Sequence, residues 1–219
     1  MFVVEKFVSI NGESRKAGQL AVFIRFRYCN LNCSYCDTKW ANTNDAEAEN
    51  LTPEQIYEYI KKTGVKNVTL TGGEPLLHQD IEKLVEILAK DKELYVEIET
   101  NGSVDISKVK KIENSPSITL DYKTPSSNMN GKMLMDNYEL LEGKDTVKFV
   151  CGSIEDLEKS KDIIEKYDLV DKCDVYFSPV FDKINASDIV EFMVENNLNG
   201  VNLQLQMHKY IWDKDKKGV

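Results

Sequence analysis

The chain has 219 residues, 42% of them hydrophobic, and carries 37 acidic side chains against 28 basic ones for a formal net charge of −9. The acidic balance argues against a nucleic-acid partner, because phosphate binding needs clustered Lys and Arg. No apolar run reaches the ~20 residues that a membrane span requires, so no membrane association is expected.

A chain of this length buries roughly 70% of its unfolded surface, enough for one sizeable core. No Pro/Gly/Ser-rich linker, internal repeat or low-complexity segment divides it. Residues 1–219 are therefore expected to form a single domain. The N-terminus, Met1-Phe2-Val3-Val4-Glu5-Lys6, lacks the basic start and long apolar stretch of a secretion signal. Five cysteines, three of them clustered, suggest metal binding in a reducing compartment and not a disulfide framework, so a cytoplasmic location is expected.

In chain order, residues 2–8 read as a first strand, followed by a polar turn around Asn11-Gly12. Ala21 to Arg27 is the next strand, and Cys29, Cys33 and Cys36 follow at its end. Thr52-Pro53-Glu54-Gln55 opens a helix with a capping box and a proline in the first turn, and Gly64 ends it. Val68 to Thr71 is a strand running into Gly72-Gly73-Glu74-Pro75. Asp80 is expected to cap a helix with Ile81, Leu84, Val85 and Leu88 on one face. Leu94 to Ile98 is a strand ending in Glu99-Thr100-Asn101-Gly102, and Val104 to Ile112 a weak helix. Ser117 to Leu120 is a strand ending in Asp121-Tyr122-Lys123, and Thr146 to Val150 another. Ser153 opens a helix to about Tyr167, Val175 to Phe177 is a strand running into Ser178-Pro179, Ala186 to Asn196 is a helix and Val201 to Leu205 the last strand. The charged tail from Asp213 to Val219 is expected to fray.

Alternating strands and helices imply parallel strands covered by helices. About six such units fall short of the eight of a closed barrel. The expected fold is therefore α/β, an incomplete, open (β/α)6-type partial TIM barrel. Five unusual polar clusters follow strand C-termini: the cysteines, Gly72 to Glu74, Glu99 to Asn101, Asp121 to Lys123 and Ser178-Pro179. In a parallel barrel-like sheet those ends share the ligand-binding face.

The spacing C-x3-C-x2-C gathers three thiols in eight residues. Structural zinc takes four protein ligands, whereas a 4Fe–4S cubane held by three cysteines leaves one iron open for a small molecule. A cubane is the stronger reading; zinc, or no metal, is the alternative. Cys151 and Cys173 sit at the edges of apolar runs and read as buried core thiols. Arg25 lies within a mostly apolar strand and so needs a partner.

The cysteine spacing resembles that of the radical S-adenosylmethionine (SAM) superfamily, whose open iron binds SAM and cleaves it to a 5′-deoxyadenosyl radical. Thr71-Gly72-Gly73-Glu74-Pro75 resembles that superfamily's site for the SAM amino group. The chain as a whole resembles the 7-carboxy-7-deazaguanine synthase family. The matching segments are Ile10-Asn11-Gly12-Glu13, Phe23-Ile24-Arg25, Cys36-Asp37-Thr38, Thr71 to Pro75, Glu99 to Gly102 and Gln206-Met207-His208-Lys209-Tyr210.

The resemblance implies a lyase of queuosine and deazapurine biosynthesis. It would contract the ring of 6-carboxy-5,6,7,8-tetrahydropterin and release ammonia, with SAM regenerated. It implies a 4Fe–4S cluster on Cys29, Cys33 and Cys36, and Mg2+ on the hydroxyl of Thr38. Substrate contacts would come from Ile10, Asn11, Gly12, Glu13, Arg25, Thr71 and His208. SAM contacts would come from Gly73, Asp121, Tyr122, Lys123, Ser178, Pro179, Val180 and Phe181, with Glu99 at the ribose or radical site as the catalytic candidate. A homodimer reduced by a flavodoxin or ferredoxin is also implied. The chain departs from the family with Asn11-Gly12-Glu13-Ser14 for Gln-Gly-Glu-Gly and Asp121-Tyr122-Lys123 for Ser-Pro-Lys. Two other functions share features of the sequence: a radical SAM activase that makes a glycyl radical on a partner protein, and a non-catalytic zinc or electron-transfer module.

Overall fold

The computed structural model describes residues 1–213 and 216–219. In chain order the elements are β1 (Phe2–Ile10), β2 (Leu20–Phe26), β3 (Glu49–Asn50), α1 (Pro53–Thr63), β4 (Asn67–Gly72), α2 (Ile81–Ala89), β5 (Tyr95–Thr100) and α3 (Ser107–Lys110). They continue with β6 (Ser117–Tyr122), β7 (Thr146–Cys151), α4 (Ile154–Lys166), α5 (Leu169–Lys172), β8 (Asp174–Pro179), α6 (Ala186–Glu195), β9 (Val201–Leu203) and α7 (His208–Ile211).

Among the described residues the nine strands form one sheet, in the order β3-β1-β2-β4-β5-β6-β7-β8-β9. β1 is antiparallel to both β2 and β3. From β2 through β9 every neighbouring pair is parallel. β3 and β9 are free edges, so the barrel is open, as the strand count implied. The parallel run has seven strands, β2 and β4 to β9, each where the sequence marks one from Ala21 onward. The antiparallel β1 was not legible as such: a strand's sequence does not carry the direction of its neighbour.

Alternation along the parallel strands separates two environments, since successive side chains point to opposite faces. Val22, Ile24 and Phe26, Val68 and Leu70, Ile98, Ile118 and Leu120, Val147 and Phe149, and Val175 and Phe177 all belong to the buried apolar core. The helices add Ile56, Ile60, Leu84, Val85, Leu88, Leu157 and Ile189 to the same core. The opposite face of the strands is polar: Arg25, Thr69, Thr71, Glu97, Glu99, Thr119, Asp121, Lys148 and Ser178 alternate with the core residues. The sheet thus has an oily outside under the helices and a charged inside.

Local signals account for most boundaries. The α1 capping box is complete, with Thr52 Oγ1 accepting from Gln55 N and Gln55 Oε1 accepting from Thr52 N. Gly64 closes α1 in the left-handed conformation at φ 70°. Ser153 Oγ accepts from Asp156 N at the start of α4. Asp80 does not cap α2: its side chain makes no capping hydrogen bond. The weak helix shrinks to the four residues of α3, and the last strand to three. Between β6 and β7 the chain makes three short 3-10 turns, and one of them buries Tyr138. Cys151 and Cys173 are buried thiols; burial pushes the Cys173 thiol up to about 12. Among the described residues, no helix is long and apolar enough to cross a membrane.

Candidate active site

A cavity of about 310 Å³ lies where the parallel strands end. The cysteine loop forms one side, the inner faces of β2, β4, β5, β6 and β7 form the floor, and the C-terminal segment closes the other side. Cys29, Cys33, Cys36 and Thr38 all border it, as do Ile10, Asn11, Gly12, Glu13, Arg25, Thr71, Gly73, Glu99, Asp121, Lys123, Val180, Phe181 and His208.

Two glycines let the cysteine loop and the end of β4 meet. Gly72 has φ 128°, and a Cβ there would lie 2.3 Å from the backbone N and O of Phe26. A Cβ on Gly73 would lie 1.8 Å from the carbonyl oxygen of Tyr28. The contact is sealed by Gly73 N donating to Phe26 O (2.9 Å) and Glu74 N donating to Tyr28 O (2.8 Å). Glu74 turns away from the cavity and anchors the turn. Its carboxylate accepts from Leu76 N (3.1 Å), Thr100 Oγ1 (2.9 Å) and Asn101 N (2.7 Å). Burial pushes its pKa up to about 7 despite these donors.

The sulfurs are met by N–H donors. Leu31 N and Asn101 Nδ2 approach Cys29 Sγ at 3.4 and 3.5 Å, and Asn42 Nδ2 approaches Cys36 Sγ at 3.8 Å. Such donors suit thiolates that bind iron, whose potential they tune. Among the described residues no three His, Cys, Asp or Glu side chains gather around one point as a single ion requires. A cubane instead takes each thiolate on a separate iron, so ligands that stand apart suit it. Two buried oxygens on the cavity wall, Asn42 Oδ1 and Asp121 Oδ1, have no hydrogen-bond partner. Buried polar atoms are rarely left unpaired, so both fit a site completed by a polar cofactor. The three cysteines, the N–H donors and the glycine-permitted approach fit a 4Fe–4S cluster with a ligand on its open iron.

Opposite the cysteines is a charged pocket. Glu13 Oε2 accepts from Lys148 Nζ (3.2 Å) and Gln206 Nε2 (3.3 Å), and Oε1 lies 3.0 Å from Ser178 Oγ. Burial pushes the Glu13 carboxyl up, but Lys148 and these hydrogen bonds outweigh it and hold the pKa below the usual value. Burial likewise opposes the charge on Lys148, yet Glu13, Asp121 and Glu99 keep it firmly protonated. Arg25 finds the partner it needed in Glu5, with Nε to Oε2 at 2.9 Å. That bond uses only Nε, which leaves the guanidinium's terminal nitrogens for a second carboxylate. Thr71 Oγ1 donates to Glu99 Oε2 at 2.6 Å. Lys123 Nζ pairs with Asp121 Oδ2 at 2.7 Å. His208 packs on Gly12 so closely that a Cβ there would lie 2.7 Å from its Nδ1, and burial lowers its pKa. Thr38 Oγ1 lies 3.5 Å from Cys36 Sγ.

Three sequence-predicted SAM contacts do not reach the cavity. Tyr122 lies between Asp121 and Lys123 and so points to the opposite face, where it packs against Tyr138 and Phe149 in the core. Ser178 is fully buried and serves Glu13 and the Gln204 carbonyl instead. Pro179 ends β8 beside Cys151 without bordering the cavity. Sequence reasoning missed Lys148, although the rule that flagged Arg25 applies to a lysine inside Thr146-Val147-Lys148-Phe149-Val150. It also missed Asn42 and Thr119, whose polar types carry no signal in a loop or a strand, whereas Asn101 belongs to the flagged cluster after β5. In the charged tail, Lys214 and Asp215 lie outside the described residues. Lys216, Lys217, Gly218 and Val219 border the cavity, and Lys217 Nζ lies 3.9 Å from the centre of the Trp40 ring.

Comparison with known proteins places this geometry. The radical SAM superfamily profile matches residues 23–195. A 7-carboxy-7-deazaguanine synthase of Clostridium acetobutylicum is 55% identical, over 99% of this chain and 98% of the relative. One of Chlorobaculum tepidum is 32% identical, over 99% and 96%. In fold, the chain is similar to the crystal structure of QueE from Escherichia coli, with a TM-score of 0.76, 21% identity and 94% of each chain covered.

Proposed function

The chain belongs to the radical SAM superfamily and, within it, to the 7-carboxy-7-deazaguanine synthases, and from that premise we propose how its own residues divide the work. The enzyme is a lyase of queuosine biosynthesis that converts a carboxylated tetrahydropterin to 7-carboxy-7-deazaguanine with loss of ammonia. It uses a 4Fe–4S cluster and SAM. When bound, these supply one-electron chemistry that generates a carbon radical able to take a hydrogen from the pterin. Membership of this family sets aside both the glycyl-radical activase and the zinc module.

The single observation that supports the assignment of roles is the shared cavity. The three cysteines face a pocket containing Glu13, Lys148, Arg25 and Thr71. Cys29, Cys33 and Cys36 hold the cluster. Gly73, with Asp121, Lys123, Val180 and Phe181, receives SAM, and the unpaired Asp121 Oδ1 is an acceptor for one of its N–H or O–H groups. Glu13, held ionised by Lys148, accepts from the aminopyrimidine edge of 6-carboxy-5,6,7,8-tetrahydropterin. Carboxylates take such paired donors well. Arg25 receives the substrate carboxylate, and Ile10, Asn11, Gly12 and His208 wall the pterin. Glu99, which accepts from Thr71, serves the ribose or radical site of SAM. Thr38 offers a hard oxygen to Mg2+, which readily shares ligands with a substrate carboxylate.

Residues 1–219 act as one domain in this assignment, in the cytoplasm, as a homodimer reduced by a flavodoxin or ferredoxin. Anaerobic reconstitution with iron and sulfide, then turnover with reductant, SAM, Mg2+ and the pterin, tests it. Product that disappears in Cys33→Ala supports the cluster and the substrate together. SAM cleavage without deazaguanine would overturn the substrate assignment, and intact SAM over an assembled cluster would overturn the catalytic one.

A further inference from the structure

Below the active site is a second cavity, about 640 Å³, at the opposite end of the strands. It opens between exposed Arg15, Lys92 and Asn114. The two cavities are separated by a thin polar partition. Asn11 borders both. Thr119 borders the upper one and Glu97 the lower. Glu97 Oε1 accepts from Ser14 Oγ at 2.5 Å and from Thr119 Oγ1, and the two hydroxyls lie 3.0 Å apart. Asn11 Oδ1 accepts from Thr69 Oγ1 at 3.0 Å in the same layer. A carboxyl group and a hydroxyl therefore join the lower cavity to the upper one across this polar layer.

We propose that Glu97 is a proton relay, passing protons from solvent in the lower cavity through Thr119 to the active site. The relay rests on the reaction stated above, which expels one ammonia per turnover. With Glu97 protonated, its contact with Thr119 runs in the reverse sense, the Glu97 O–H donating to Thr119 Oγ1 and the Thr119 O–H turned towards the upper cavity. The Glu97 O–H bond then breaks as its proton moves to Thr119 Oγ1, whose own proton moves on to the departing nitrogen. Ammonia leaves as ammonium, the Glu97 carboxylate takes a new proton from water below, and no electron changes hands. Glu97 is suited to hold that proton. Burial, together with the charge of Glu99 two residues along the same face, raises its pKa. Glu99 shares β5, Lys148 faces it from β7 and Tyr176 from β8. Arg15, Lys16, Asp91, Lys92 and Lys144 border the cavity beneath.

The test compares reconstituted wild type with Glu97→Gln, and Thr119→Val with Thr119→Ser. Glu97→Gln is expected to lower kcat about 10²-fold with KM for the pterin unchanged. It should also abolish the fall in rate that wild type shows as pH rises through the Glu97 pKa. Thr119→Val should be slowed similarly, while Thr119→Ser, which keeps the hydroxyl, should be close to wild type. Infrared spectra of the cofactor-free protein should show a protonated carboxyl band that is missing in Glu97→Gln. An unchanged kcat and pH profile in Glu97→Gln, or equal rates for the two Thr119 variants, would overturn the relay. The Thr119 pair decides alone if Glu97→Gln does not fold. Wild type that makes no deazaguanine would instead overturn the reaction, a result separable from failure of the relay.

Discussion

Lys148 is buried in the middle of an apolar strand, and Glu13 is the group that keeps it there as a cation. The pair is 3.2 Å apart with both side chains nearly enclosed. Removing one member of such a pair strands the other charge, at a cost of about 3–5 kcal/mol. Lys148→Met should therefore lower the urea midpoint strongly, and Glu13→Gln should do so too. The double variant should lose less than the sum, because no lone charge remains. Glu74 gives a pH signature of opposite sign to Glu13. Its folded pKa of about 7 stands above the ordinary value of 4.5. It contributes its stability fully below pH 4.5, and that contribution is lost as pH rises towards 7. Thermal melts between pH 4.5 and 8 should show this falling component, and Glu74→Gln should flatten it. Glu13 is held below 4.5, so its contribution is present above that pH and is lost as pH falls through its folded pKa. The two buried carboxylates differ in their hydrogen-bond partners: Glu13 has a lysine, whereas the groups that donate to Glu74 are neutral.

At the scale of elements, the site depends on how closely the end of β4 approaches the end of β2. Gly72→Ala would place a Cβ 2.3 Å from Phe26 backbone atoms that are themselves hydrogen-bonded, and at a φ of 128° that side chains rarely adopt. Backbone strain of this kind costs about 1–3 kcal/mol before any clash is counted. Gly72→Ala should reconstitute with much less iron than wild type, read by iron content and by visible absorbance, while far-UV circular dichroism stays near wild type. The capping box of α1 makes a contrast. Thr52→Ala should cost about 1 kcal/mol of stability in denaturant melts. It should leave turnover unchanged, because α1 packs under the sheet and reaches the cavity nowhere. Each strand end delivers inner-face residues to the cavity by alternation, which is why Asp121 and Lys123 arrive and Tyr122 does not.

At the scale of the whole molecule, fold and cofactor are separable. The apolar core lies between the helices and the outer face of the sheet, and Cys29, Cys33 and Cys36 are not part of it. A chain whose core does not involve the metal ligands should keep its structure when the metal is removed, unlike a zinc finger. Chelation of iron, or Cys33→Ala, should abolish turnover while the far-UV spectrum persists and the thermal transition stays cooperative. The open sheet also leaves both ends of the strands accessible, so substrate can enter above while water and protons reach Glu97 from below.

The chemistry of the cysteine loop, the parallel α/β architecture and most of the strand ends can be read from the residues alone, because these depend on local features. Thiol spacing counts ligands, periodicity marks elements, and Gly72-Gly73 marks a close backbone approach wherever it lies. Arg25 was legible for the same reason: a charge in an apolar strand must be answered. Which answer it received depends on how the chain folds. Glu5 is twenty residues away and Lys148 reaches Glu13 across 135, and no local pattern encodes such distances. The face of each strand was likewise undecided until the sheet assembled. Tyr122 and Asp121 read alike as a polar strand end, and a rotation of half a turn puts one in the core and the other beside the cluster. The second cavity had no sequence signal at all, because it is the space left between elements and is lined by residues from distant parts of the chain.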